Sequence, residues 1–217
     1  MPELKAVVIG HSFVRRLGSD IAGKREGYPS PKMAARTMNL SKNFKAVHFY
    51  GNDAYTLHQL RDSILRAGRD VRPDVCVINC ASNDLCQRTC DVQEVVTGLI
   101  SYARFLRSIH HVKFVAILGV INRKRCREVT QEIFQERAHK FNGLLKIACA
   151  EENGVQYVNM RGFWRDEAGN ELPVSSWSTD GIHPARSQSK RRMGIEKYRH
   201  IVRRGLLDGS AFVKRQC

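Results

Sequence analysis

Short, almost wholly apolar runs alternate with amphipathic stretches along most of this chain, and that alternation restricts its fold more than any other feature. Lys5–Ile9, Phe44–Tyr50, Asp74–Asn79, Lys113–Gly119 and Val155–Val158 read as five strands. Between them, Ser12–Ala22 places apolar residues at Phe13, Val14, Leu17 and Ile21, and Tyr55–Ala67 places them at Leu57, Leu60 and Ile64, the spacing of one helix face. Val92–Ile109 and Glu128–Glu152 read as longer helices, the second stopped at Asn153-Gly154, and a last helix runs from about Ser189 to Leu207. Pro29 and Pro31 break the mixed segment between, with a short helix after them. Strand–helix–strand units joined by right-handed crossovers give a parallel sheet covered by helices on both faces. Strands with no polar alternation are the kind buried on both sides.

The length, 217 residues, suits one domain, which we place over residues 1–208, followed by a basic C-terminal tail over 209–217. Hydrophobic residues at 42% and charged residues at 26% exclude collagen-like and mostly disordered chains. No apolar run approaches the ~20 residues that span a bilayer, and the first ten residues read as a strand rather than a signal-peptide core. The seven cysteines are odd in number and follow no secretion signal, which points to a reducing compartment, the cytoplasm or nucleus. Four of them, Cys76, Cys80, Cys86 and Cys90, lie close together, but their gaps are not the C-x2-C pairs of zinc sites. We expect buried small hydrophobes there, and neither a metal nor a cofactor.

Ligands of an open parallel sheet bind beyond the carboxyl ends of the strands. Those ends carry Gly10-His11-Ser12, Gly51-Asn52-Asp53, Ser82-Asn83-Asp84 and, after the fifth strand, Asp180-Gly-Ile-His183. Each has a plain structural explanation: a serine at a helix start is most simply an N-cap, and Asn-Asp or Asp-Gly pairs make turns. Taken together they compose an acyl-transfer site. Ser12 is a nucleophile once a base takes its proton, His183 titrates in the right range to be that base, and Asp180 can fix its tautomer. The N–H groups of Ser12 and Gly51 and the Asn83 amide would receive the oxyanion.

At these residues the chain resembles the SGNH, or GDSL-type, hydrolases. Val7 to Leu17 is similar to their first block, Gly51 to the glycine of the second, Asn83-Asp84 to the end of G-x-N-D, and Asp180 to His183 to D-x-x-H, all in family order. The resemblance implies a three-layer α/β/α, flavodoxin-like fold with a five-stranded parallel sheet and a metal-free Ser-His-Asp esterase acting on a small ester. Two positions depart from the pattern: His11 stands where the family has an acid, and Ala81 where it has a glycine. The run from Gly10 to Leu17 is also similar to esterase-like domains carried by some animal retroelement proteins.

The formal charge of +15 adds a second expectation. Arg15 and Arg16 follow Ser12, Arg123, Lys124, Arg125 and Arg127 follow the fourth strand, and Lys190, Arg191 and Arg192 follow His183. By topology all should ring the same rim and attract an anionic substrate, or RNA or DNA beside the pocket. Two functions therefore compete: an ester hydrolase, and a non-catalytic nucleic-acid-binding module on the same fold. No motif indicates an oligomeric state.

Overall fold

The computed structural model describes residues 4–23, 28–53, 56–165, 168–170, 180, 182–184 and 193–216. Five strands, β1 (Leu4–Gly10), β2 (Phe44–Gly51), β3 (Val75–Asn79), β4 (Phe114–Leu118) and β5 (Val155–Val158), form one parallel sheet in the order β2-β1-β3-β4-β5. Around it pack α1 (Ser12–Ile21), α2 (Pro31–Thr37), α3 (Leu57–Val71), α4 (Val92–Ile109), α5 (Gln131–Ala150), the single turn α6 (Met160–Phe163) and α7 (Met193–Arg215). No helix among the described residues is long and apolar enough to cross a membrane.

Strand side chains alternate between two cores, as the pleat requires. Ala6, Val8, Val75, Val77, Ala116 and Leu118 face a cluster built with α1, α2 and α7. Val7, Ile9, Cys76, Ile78, Val115 and Ile117 face the other, built with α3, α4 and α5. The expected three layers and doubly covered strands are thus present. The burial of Cys76, Cys80 and Cys149 raises each thiol's pKa, so these three behave as small apolar side chains.

The chain reverses its direction of travel across the sheet at β1, which pairs with β2 on one side and β3 on the other. The crevice above the β1 and β3 ends is where such a sheet admits a ligand. Gly10 makes this junction possible. A Cβ there would stand 2.0 Å from the Asn79 carbonyl oxygen, closer than any packing allows.

The C-terminal end corrects the expected tail at 209–217. α7 continues through it to Arg215, because Leu206, Gly209, Ser210 and Val213 extend the buried stripe at helical spacing. Ser210 and Val213 are buried, Asn43 donates to the Ser210 hydroxyl at 3.0 Å, and the Phe212 ring lies 5.2 Å from that of Phe114.

Candidate active site

Ser12 is the first residue of α1, yet it does not cap the helix. His11 does: its backbone is extended and its Nδ1 accepts the N–H of Phe13 at 3.3 Å. The Ser12 side chain, nearly buried, turns instead toward a residue 171 positions away, with its Oγ 2.7 Å from Nε2 of His183. The other ring nitrogen, Nδ1, lies 2.6 Å from Oδ2 of Asp180. A carboxylate only accepts, so Nδ1 carries the ring proton and Nε2 accepts the hydrogen of the Ser12 hydroxyl. Asp180 is held by its own turn, its Oδ1 accepting the N–H groups of Ile182 at 2.8 Å and His183 at 3.0 Å. Arg16 approaches Oδ2 of the same carboxylate at 3.2 Å.

Burial pushes the pKa of His183 below the ordinary imidazole value. The hydrogen bond and charge of Asp180 oppose that shift, and the charges of Arg16 and Arg123 reinforce it. The ring is therefore neutral near pH 7, the state in which Nε2 can take a proton. Phe13 packs its ring 5.8 Å from that of His183 and 5.6 Å from that of Tyr198, which fixes one side of the imidazole.

Beyond β3 the backbone turns through Ala81 at φ 83°, the left-handed region, and delivers Ser82 and Asn83. Arg123 Nη2 donates to Ser82 Oγ at 2.6 Å and to Asn83 Oδ1 at 2.8 Å. Holding that carboxamide oxygen leaves the amide's NH2 end on the opposite side, and Asn83 lines the same cavity as Ser12 and His183. The Ser12 N–H, at the start of α1, has no protein partner among the described residues. His11 Nε2 lies 3.0 Å from Ser82 Oγ, and since its Nδ1 accepts, Nε2 donates. Burial, with Arg123 and His183 nearby, holds His11 well below its ordinary pKa and so neutral. The family's acid at position 11 is thus replaced by a neutral ring that still caps α1.

Gly51 does not offer the donor expected of it. β2 keeps its register with β1 as far as the pair Gly10 and Gly51, and the Gly51 N–H donates to Tyr28 Oη at 2.9 Å, while that hydroxyl donates to the Gly51 carbonyl. Its missing side chain has a packing reason, since a Cβ there would lie 2.4 Å from the Arg15 nitrogen. The basic ring is also redistributed. Arg15 pairs with Asp53 at 2.8 Å and Arg16 with Asp180. Arg123 is buried, whereas Arg125 and Arg127 are exposed at the cavity and Lys124 does not line it. Lys190, Arg191 and Arg192 lie outside the described residues.

Several neighbours escaped the sequence reading. The contacts of Ser82 with Arg123 and His11 and the capping role of His11 emerge only from the packing. Arg123 carried one signal: the apolar run of β4 continues through Val120 and Ile121, so the chain is still in the interior when it reaches the arginine. Cys86 and Cys126 also line the cavity, with sulfurs 3.2 Å apart. The contact with Cys126 lowers the pKa of the Cys86 thiol, against burial and with help from Arg123.

Comparison with known proteins places these observations in a family. A model of the GDSL-like lipase/acylhydrolase family matches residues 8–187. No curated protein matches the chain. Among solved structures, a catalytic mutant of an acetylxylan esterase from Geobacillus stearothermophilus superposes with a TM-score of 0.67 at 15% identity, covering 95% of both chains. A GDSL-like lipase from Bacteroides thetaiotaomicron superposes with a TM-score of 0.64 at 15% identity, covering 94% of this chain and 88% of its own. At such identity the likeness is one of fold, the same five-stranded sheet flanked by helices.

Proposed function

This chain belongs to the GDSL-like lipase/acylhydrolase family, and from that premise we propose that it hydrolyses carboxylic esters through an acyl-enzyme on Ser12. Ser12 Oγ attacks the ester carbonyl carbon while His183 Nε2 takes its proton. Asp180 holds the resulting imidazolium in place through Nδ1. The tetrahedral oxyanion accepts from the Ser12 N–H and from the Asn83 side-chain amide, two donors in place of the three expected. Each such donor is worth roughly 3–4 kcal/mol in the transition state. The imidazolium then protonates the departing alkoxide. Water, deprotonated by the same ring, cleaves the acyl-enzyme, releasing the acid and restoring the serine.

The observation that carries this reading is the 2.7 Å contact between Ser12 Oγ and His183 Nε2, made across 171 residues of sequence. A helix start and a distant loop have no packing reason to meet hydroxyl to imidazole. The test is a fluorophosphonate probe beside an aryl-ester assay. Wild type should be labelled at Ser12, and Ser12→Ala should lose labelling and more than about a thousandfold in kcat. Equal turnover by wild type and Ser12→Ala would falsify the proposal.

A further inference from the structure

Arg123 is an enclosed charge with no carboxylate beside it among the described residues. Its side chain is 4% exposed. It donates to Ser82 and Asn83, reaches the Cys86 sulfur at 3.5 Å, and leaves Nε with no partner. Buried guanidinium groups are retained where a counter-charge offsets the lost hydration. Of these contacts only the Cys86 thiol can ionise, its pKa lowered by Cys126 and Arg123 against burial, and it is not a carboxylate.

The surroundings repeat the imbalance. The cavity holding Ser12 and His183 measures about 400 Å³. Of the arginines on its wall, Arg15 and Arg16 are matched by Asp53 and Asp180. Arg125 and Arg127 have no carboxylate partner among the described residues, and on their side only Glu128 offers an acid to the lining. A concave, positively charged pocket beside a nucleophile is a place for a small anion, where a polyanion would need an open track along the surface.

We propose that the cavity selects esters bearing a second, negatively charged group, a carboxylate or phosphate, which Arg125 and Arg127 receive over the buried charge of Arg123. This rests on the hydrolase reading, because it names the substrate class of the same site. The missing counter-charge then arrives with the substrate and places the ester carbonyl against Ser12.

The test separates binding from turnover. In the full-length Ser12→Ala variant, equilibrium dissociation constants are measured for the 4-nitrophenyl half-ester of glutarate and for 4-nitrophenyl valerate, a neutral ester of equal chain length. The half-ester should bind at least tenfold more tightly. That preference should vanish in Ser12→Ala/Arg125→Ala/Arg127→Ala, in part return with lysine at both positions, and shrink between 50 and 500 mM salt. A phosphonate analogue identifies the preferred headgroup, and tighter binding of either anionic ester supports the inference. Equal binding of anionic and neutral esters overturns it, as does a preference that survives loss of both arginines. Tighter binding of a short single-stranded RNA through the same arginines overturns it too. Ser12-dependent turnover in wild type is scored separately, so a failure of hydrolysis is not read as a failure of anion selection.

Discussion

His183 acts on the acid side of its ordinary range because burial, Arg16 and Arg123 together outweigh the pull of Asp180. The base must be unprotonated to work, so a lowered pKa extends activity downward in pH. We expect kcat/KM for a neutral ester to be level between pH 7 and 8 and to fall with unit slope only below about 6.5, the ordinary imidazole value. A rising limb centred above pH 7 would contradict this account. Ala81 poses a different problem, a non-glycine residue at φ 83° and fully buried. The left-handed backbone costs about 1–2 kcal/mol. Glycine would relieve it but lose roughly 0.5–1 kcal/mol in chain entropy and about 0.8 kcal/mol for the buried methyl. These effects nearly cancel, so Ala81→Gly should shift unfolding stability by less than about 1 kcal/mol in a denaturant titration. The departure from the family glycine is tolerated for that reason.

Among the elements, α1 and the segment after β4 do most to place the candidate chemistry. α1 starts where it does because His11 caps it and Gly10 lets β1 close against β3. Gly10→Ala would drive a methyl into a sheet carbonyl that cannot rotate away. It should cost about 3 kcal/mol or more by chemical denaturation. The segment carrying Arg123 is pinned by Asn142 of α5, whose side chain accepts from the Val120 N–H and donates to the Val120 carbonyl, both at 2.8 Å. Ser12 and the position of α1 were legible from Gly10-His11-Ser12 followed by a helical stripe. The pinning of the segment before Arg123 was not, because it depends on a side chain 22 residues from Val120 on another element.

At the scale of the whole molecule, α7 seals one face of the sheet down to its last turn. Deleting residues 209–217 should remove the burial of Val213 and the Phe212–Phe114 contact and cost about 4 kcal/mol, visible as a lowered Tm. A solvated basic tail would leave Tm nearly unchanged. The fold class and the succession of strands and helices along the chain were readable from the residues, since hydrophobic periodicity is a local property and right-handed crossovers leave few ways to stack βαβ units. The sequence also marked Ser12 and Asn83 as candidates, because they follow the ends of β1 and β3, and Asp180 with His183, which lie between α6 and α7, through their D-x-x-H spacing. Which donors and charges take other partners follows from the packing. Gly51 gives its amide to Tyr28, Arg16 turns to Asp180, and Arg123 goes inside with no carboxylate partner among the described residues. Those outcomes depend on which groups compete for a partner at 3 Å, and that competition exists only once residues far apart in the chain have been brought together.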